Sequence, residues 1–199
     1  PGGFVVPSAS EENTVVTNGM SEYNRNQKNA NAAVVVEVSP KDFGSHVLDG
    51  VNFQRKLEKC AYNHNAPSYK APIQTVGKFL NDEKGAEIKR VNPSYEIGVK
   101  DALFKDIFPS FVTDMLKMGI SDFGRKIKGY DADDALMTGV ENRTSSPIRI
   151  TRGNNMQSIS VLGLFPTGEG AGYAGGIMSA AVDGLKIAQS IIEKYAPIE

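Results

Sequence analysis

A glycine-rich run contains the residues best suited to chemistry in this chain. Residues 166–176 read PTGEGAGYAGG, and they lie between an apolar run and a predicted helix. The glycines are Gly168, Gly170, Gly172, Gly175 and Gly176. Such a density costs chain entropy, so it usually permits unusual backbone angles or close approach to another group. The free N–H groups and the positive dipole end of the following helix favour an anion or an electron-rich ring edge.

Glu169 lies inside this run, where a carboxylate is poorly placed for a phosphate. It is well placed to accept hydrogen bonds from sugar or ribityl hydroxyls. Two alternatives stay open from the residues alone. One is a tight strand-to-helix turn whose glycines serve packing and whose Glu169 is solvated. The other is a backbone nest that binds a nucleotide phosphate, although the run lacks the Lys and Ser/Thr of a P-loop.

The letters G-x-G-x-x-G at 170–175 match the dinucleotide-binding fingerprint, but their context does not. That fingerprint needs a strand, the turn, a helix and a second strand with an acidic residue about 20 positions further on. A predicted strand and a predicted helix flank the turn, whereas the last residues, EKYAPIE, do not read as a second strand. We therefore expect that this is not an ordinary N-terminal dinucleotide-binding domain.

A second polar stretch, residues 141–152, places arginines beside hydroxyls. Its side chains of interest are Arg143, Thr144, Ser145, Ser146, Arg149 and Arg152. Arginines with hydroxyls could hold an anionic substrate group. The spacing alone favours a plainer interpretation, a polar hairpin with solvated arginines. No Ser-His-Asp or metal-ligand spacing is visible, and the two histidines are His46 and His64, so we predict no metal site.

The elements that must position these residues are predicted from hydrophobic periodicity and turn residues. Buried strands are predicted at 32–38 and 158–165, and shorter strands at Phe4–Val6, at Thr14–Thr17 and twice within 135–153. Helices are predicted at 47–62, at 73–80, over most of 101–128 with a new helix opening at Pro109, and at 177–195. Phe108, Phe111, Val112, Met115 and Leu116 are the predicted core face of the third helix. Ser39, Pro40 and Asp42 predict a further helix start. This order indicates a mixed α+β fold.

Composition and charge narrow the class of protein. The chain has 199 residues, 40% hydrophobic and 23% charged, which is typical of a soluble globular protein. A net charge of −1 gives no indication of nucleic-acid binding, and no apolar run approaches the roughly 18 residues that span a bilayer. The single cysteine, Cys60, excludes an internal disulfide and fits a reducing cytoplasm. The chain begins Pro1-Gly2-Gly3 without Met, so we expect a piece of a longer protein.

Five segments carry a family resemblance. In chain order they read PGGFVVPSASEENTVVTNGMSEYNRNQKNANAAVVVEV, YKAPIQTVGKFL, FGRKIKGY, GVENRTSSPIRI and GLFPTGEGAGYAGGIMSAAVDGLKIA. Together they resemble the uncharacterised bacterial FAD-dependent, or NAD(FAD)-utilizing, dehydrogenases over nearly the whole chain. The resemblance implies an inserted α+β substrate-type domain at 1–153. It also implies a strand-turn-helix segment at 154–199 that completes an FAD domain, whose N-terminal half lies upstream in a longer protein.

The resemblance also implies which residues meet the cofactor. They are Gly168, Glu169, Gly170, Ala171, Gly172, Ala174, Gly175 and Gly176. Glu169 would accept from a ribityl hydroxyl, and residues 170–172 would line the isoalloxazine or pyrophosphate region. The amides of residues 174–176 would approach the flavin N1 and O2 edge. A helix dipole there lowers the energy of the negative charge that two-electron reduction leaves.

The function implied is that of the C-terminal portion of an FAD-dependent oxidoreductase. The parent protein would transfer a hydride or an electron pair between a small-molecule substrate and flavin, with NAD(P)H as a candidate donor. Arg143, Ser145, Ser146 and Arg149 are the candidate substrate residues. Without the upstream half, we expect these residues to bind FAD weakly or not at all. The alternative function is a non-catalytic binding or assembly module in which the glycine turn is only structural.

Overall fold

The computed structural model of the chain describes residues 1–143 and 145–196. Thr144, one of the hydroxyl residues of the second polar stretch, lies outside the described residues. Helices and small sheets both occur, so the predicted mixed α+β fold is confirmed. The chain divides into two compact units. One comprises residues 1–42 and 53–142, and the other comprises residues 43–52 and 143–199.

Three of the α-helices have 15 residues or more, and each of the other α-helices and strands has five residues or fewer. The strands are β1 (Gly3–Pro7), β2 (Thr17–Ser21), β3 (Ala71–Thr75), β4 (Val99–Asp101) and β5 (Leu136–Thr138). The helices are α1 (Pro40–Phe43), α2 (Asp49–Asn63), α3 (Val76–Leu80), α4 (Ser110–Lys126) and α5 (Ile177–Tyr195). β1 pairs with β2 in an antiparallel ladder. β3 is the centre of a second sheet, parallel to β4 and antiparallel to β5. None of the described helices is long and apolar enough to cross a membrane.

The first unit is organised around β3, where the prediction of a helix over 73–80 is wrong in its first half. All five residues of β3 are buried, and α3 begins only at Val76. Gln74 is fully buried, yet both ends of its amide are paired. Its Oε1 accepts from the N–H of Phe104 at 2.9 Å, and its Nε2 donates to the carbonyl of Glu83 at 2.6 Å. Because β4 and β5, the strands that pair with β3, are distant in sequence, local periodicity does not reveal the strand.

Helix α4 follows Pro109, as predicted, and packs one stripe of side chains into the core of the first unit. Its buried residues are Val112, Thr113, Leu116 and Ile120. Met115 is wrongly placed on the core face by the sequence, since its side chain is half exposed. The inward stripe follows a spacing of four residues from Val112, and Met115 lies beside that stripe.

Two predictions near the N-terminus are corrected. β2 begins only at Thr17, and Thr14, Val15 and Val16 are buried without joining the β1–β2 ladder. Residues 32–38 form no strand, and no described strand pairs with them. An apolar run becomes a strand only where a neighbour supplies hydrogen bonds.

The second unit contains α5, whose predicted bounds are confirmed. The prediction of a buried strand at 158–165 is wrong. Ser158 forms one isolated bridge with Arg152, and Leu162 is 93% exposed. Among the described residues of 135–153, only Leu136–Thr138 forms a strand. In the part of the chain that the structure describes, no strand lies beside residues 159–165 to pair with them.

Candidate functional site

The glycine turn before α5 has a defined backbone conformation. Gly168 and Gly172 have φ of +68° and +80°, in the left-handed region that favours glycine. The N–H of Gly172 donates to the carbonyl of Glu169, and that of Tyr173 donates to the carbonyl of Gly168, each at 2.9 Å. A Cβ on Gly172 would also lie 2.5 Å from the carbonyl oxygen of Ile148. The backbone conformation of the turn therefore favours glycine at positions 168 and 172, whether or not the turn binds a ligand.

At the remaining glycines of the turn, Gly170, Gly175 and Gly176, neither the backbone angles nor the neighbouring atoms require glycine. A Cβ on Gly170 would meet no atom within 4 Å, and Gly170 has no left-handed φ. On Gly175 and Gly176, the nearest atom to an added Cβ would be a serine Oγ at 3.8 Å. Gly176 has an extended φ of −165°, which any residue adopts. The space beside these three glycines is therefore open to a group that is not part of the turn.

Three successive carbonyls of the turn accept hydrogen bonds from the second polar stretch. Ser146 Oγ, Ile150 N and Arg149 Nε approach the carbonyl oxygens of residues 170–172 in that order. The three distances are 3.2, 3.2 and 3.0 Å. The structure thus brings the predicted substrate residues Ser146 and Arg149 against the predicted cofactor residues.

The other candidate substrate residues lie nearby in the second unit. Arg143 and Ser145 are exposed, and Ser145 Oγ would be 3.8 Å from a Cβ added to Gly175. The guanidinium of Arg149 lies over the ring of Tyr173, 4.9 Å from its centroid. Their role toward a substrate stays a prediction.

A buried ion pair joins the turn to α5. Arg152 and Asp183 form two hydrogen bonds of 2.6 and 3.0 Å, and each side chain is only 10% exposed. Asp183 Oδ2 also accepts from the N–H of Gly168 at 2.8 Å. Arg152 Nη1 donates to the carbonyl of Pro166 at 2.8 Å, and its guanidinium lies 3.7 Å from the ring centroid of Tyr173. Both sides of the turn are therefore tied to one helix.

Sequence reasoning missed Asp183, although a signal exists. Asp183 is an acidic residue in the middle of the apolar sequence SAAVDGL, on the same stripe of α5 as the buried Ile187. A carboxylate in such a position is almost never buried unless it is paired. The hydrogen bonds from Arg152, and then the one from Gly168, lower the pKa of Asp183 to about 2.

The lowered pKa of Asp183 predicts an acid limb of stability, which is the range of low pH over which the free energy of unfolding falls as the pH falls. Its folded pKa of about 2 lies below the ordinary value of 3.8, so the stabilisation is present above about pH 4. That stabilisation is lost as the pH falls toward 2. We expect thermal melts between pH 7 and pH 2 to show this loss, and we expect Asp183→Asn to remove that part of the acid limb. An unchanged acid limb in Asp183→Asn would contradict the assignment.

A groove runs along α4 in the first unit. Its volume is about 730 Å³, and it is lined by Leu80, Met115, Lys117, Met118, Gly119, Ser121, Asp122 and Arg125. It is widely open and contains no residue of the glycine turn. Among residues 1–143 and 145–196, no group of three or more His, Cys, Asp or Glu is arranged to hold a metal ion. The turn, with its fixed backbone and open glycines, is the better candidate site.

Known proteins share most of this sequence. The sequence profile of a family described as "FAD-dependent protein, C-terminal domain-like" matches residues 1–144. A protein of Clostridium beijerinckii, described as an uncharacterized protein, is 52% identical over 196 residues. That match covers 98% of this chain and 37% of the relative, so the chain spans little more than a third of the relative's length. By the match over residues 1–144, the chain belongs to the FAD-dependent protein, C-terminal domain-like family.

Proposed function

We propose that the chain is the C-terminal portion of an FAD-dependent oxidoreductase. It supplies the flavin-facing loop and the substrate domain for hydride or electron transfer, with residues 1–153 as the substrate-type domain and 154–199 completing the FAD domain. The observation that carries the proposal is the open space beside Gly170, on a turn that is otherwise firmly held. Family membership supports an association with FAD.

The residues of the turn fit the flavin side of FAD. Glu169 is exposed, and its carboxylate forms no hydrogen bond or ion pair with any described residue. It can therefore accept from a ribityl hydroxyl. No side chain caps the first turn of α5, so the N–H groups there favour an electron-rich edge, beside the amides of residues 174–176. When bound, FAD supplies the redox chemistry, while the chain binds and orients it.

The second polar stretch is the proposed place for an anionic group of the substrate. Arg149 gives one of its five N–H donors, Nε, to the carbonyl of Gly172. Arg143, Ser145 and Ser146 extend the polar surface along the same stretch. We propose a small-molecule substrate and NAD(P)H as the electron donor, in the reducing cytoplasm that the single Cys60 favours.

The N-terminal half of the same protein is the proposed partner of the second unit. Helix α5 buries only Asp183 and Ile187, whereas Ile177 is 90% exposed and Leu185 is 72% exposed. At 3.6 residues per turn, Leu185 lies on the opposite face of α5 from the buried residues, and Ile177 lies roughly 100° around the helix from them. A soluble domain seldom leaves such an apolar face uncovered, and the relative is much longer than this chain. We expect the isolated 199 residues to bind FAD weakly or not at all.

Two substitutions in the full-length protein test the proposal. We expect Glu169→Ala and Gly170→Ala each to reduce the FAD retained after purification at least tenfold, as measured by flavin absorbance per protein. The first removes the acceptor for a ribityl hydroxyl, and the second places a methyl group in the space where the flavin would approach. Neither substitution should change the melting temperature of the protein without FAD, because a Cβ added to Gly170 meets no atom within 4 Å and the Glu169 carboxylate is exposed.

Glu169→Gln is the matched control, since it keeps a hydrogen-bond acceptor and should retain more FAD than Glu169→Ala. A wild-type protein that retains no flavin absorbance after incubation with FAD and removal of the unbound FAD would overturn the proposal. Unchanged FAD content in both variants would favour the other function, a non-catalytic binding or assembly module. The exposed apolar face of α5 is the observation that supports that alternative.

A further inference from the structure

We propose that Arg152 and Asp183 are positioning residues that fix Gly168 and Glu169 in the conformation that binds flavin. This inference rests on the proposed function of the turn. It adds two residues that lie outside the glycine motif and that no sequence pattern assigns to it.

The ion pair of Arg152 and Asp183 holds the turn at several points. Asp183 accepts from the N–H of Gly168 at 2.8 Å, and Arg152 donates to the carbonyl of Pro166 at 2.8 Å. The backbone N–H of Arg152 donates to the hydroxyl of Tyr173 at 2.9 Å. The pair therefore restrains the chain just before Glu169, and Tyr173 restrains it just after.

The ion pair also holds Gly168, the residue before Glu169, through its backbone N–H. Gly168 has φ of +68°, and in this conformation its N–H donates to the charged carboxylate of Asp183. Since Glu169 is the next residue, the direction of its side chain follows from the angles at Gly168. A binding group must be held within about 0.5 Å of its working position, so loss of this anchor displaces the carboxylate from a ligand.

The contribution of the ion pair to stability does not by itself explain why two charged residues lie at these buried positions. Both side chains are only 10% exposed, so part of the attraction between the two charges offsets the desolvation energy that their burial costs. Apolar residues of similar volume often stabilise a fold equally well or better. They would offer no acceptor to Gly168 and no donor to Pro166, so the pair contributes a defined position of the turn.

The chain contains a matched control pair. Arg90 and Asp134 also form a two-point contact, at 2.7 and 3.0 Å, in the first unit. The side chain of Arg90 is 67% exposed, so this ion pair lies at the surface of the first unit. Apolar replacement of this pair removes the same charges and a two-point contact, formed there through Nε and Nη2, from a surface position.

The test uses the full-length protein and the double variant Arg152→Met/Asp183→Leu, with Arg90→Met/Asp134→Leu as control. We expect the first double variant to fold with a lower melting temperature without FAD, because the buried N–H of Gly168 loses its acceptor. We also expect it to bind FAD at least tenfold more weakly by fluorescence titration. We also expect faster hydrogen exchange at the amides of Gly172 and Tyr173, a readout that needs no cofactor. The control pair should leave all three quantities unchanged.

Arg152→Lys decides the question where the double variant does not fold, because it keeps the charge and loses the forked contacts. We expect it to weaken FAD binding several-fold. FAD binding within twofold of wild type in every folded variant would overturn the positioning role, as would an equal loss in the control pair. A wild-type protein that holds no FAD would instead overturn the proposed function of the turn, and the positioning role with it.

Discussion

Gly172→Ala in the full-length protein is expected to lose FAD and to lower the free energy of unfolding by about 2–5 kcal/mol. The backbone at Gly172 has φ of +80°, which costs a residue with a Cβ about 1–2 kcal/mol. The added Cβ would lie 2.5 Å from the carbonyl oxygen of Ile148 and 3.0 Å from Cα of Arg149, so the backbone must shift. Urea unfolding and flavin absorbance per protein measure the two effects.

Gly170→Ala is the matched control for this prediction, since it lies two residues earlier on the same turn. Its added Cβ meets no atom within 4 Å, so the free energy of unfolding should stay the same while FAD is still lost. The two variants together separate a glycine that the fold requires from one that a ligand requires. Gly172→Ala with wild-type stability would contradict the description of the turn.

Phe104→Ala is expected to lower the free energy of unfolding by about 3–5 kcal/mol, as for other fully buried aromatic residues. Phe104 is only 1% exposed. Its ring packs edge-on to Phe79 and at a tilt against Phe108, with centroid distances of 6.2 and 5.6 Å. The substitution leaves a cavity where three aromatic rings meet. Chemical denaturation followed by circular dichroism measures the change.

Phe123→Ala is the control for this prediction, because Phe123 is partly exposed and its ring contacts only Tyr130 among the described aromatic rings. We expect it to cost much less than Phe104→Ala. Equal costs for the two variants would show that Phe104 is not at the centre of the core of the first unit.

The elements that sequence predicts well are those with local causes. The bounds of α5 and the start of α4 after Pro109 are confirmed. The predicted helix start is also confirmed, since α1 begins at Pro40 and Asp42 accepts from the N–H of Ser39 at 2.8 Å. The Ser39 hydroxyl donates to Asp42 and does not accept from the helix as predicted. These features depend on residues within one or two helical turns, which the sequence displays directly.

The strands that sequence predicts poorly depend on distant partners. Residues 32–38 and 158–165 have the apolar, β-branched composition of buried strands, yet neither pairs with a described strand. β3 has its neighbours at Val99–Asp101 and Leu136–Thr138, far along the chain. Hydrophobic periodicity shows which residues seek burial, but it does not show which strand supplies the hydrogen bonds.

The sequence by itself determined the glycine-rich turn with Glu169, the helix after it and the mixed α+β class of the fold. Each follows from residue types whose backbone preferences act locally. Only the tertiary structure decided which glycines serve the fold, because that depends on the atoms a Cβ would meet. It alone also paired Arg152 with Asp183, which lie 31 residues apart. Two such distant charges are brought together by folding of the chain between them, and no local pattern encodes that contact.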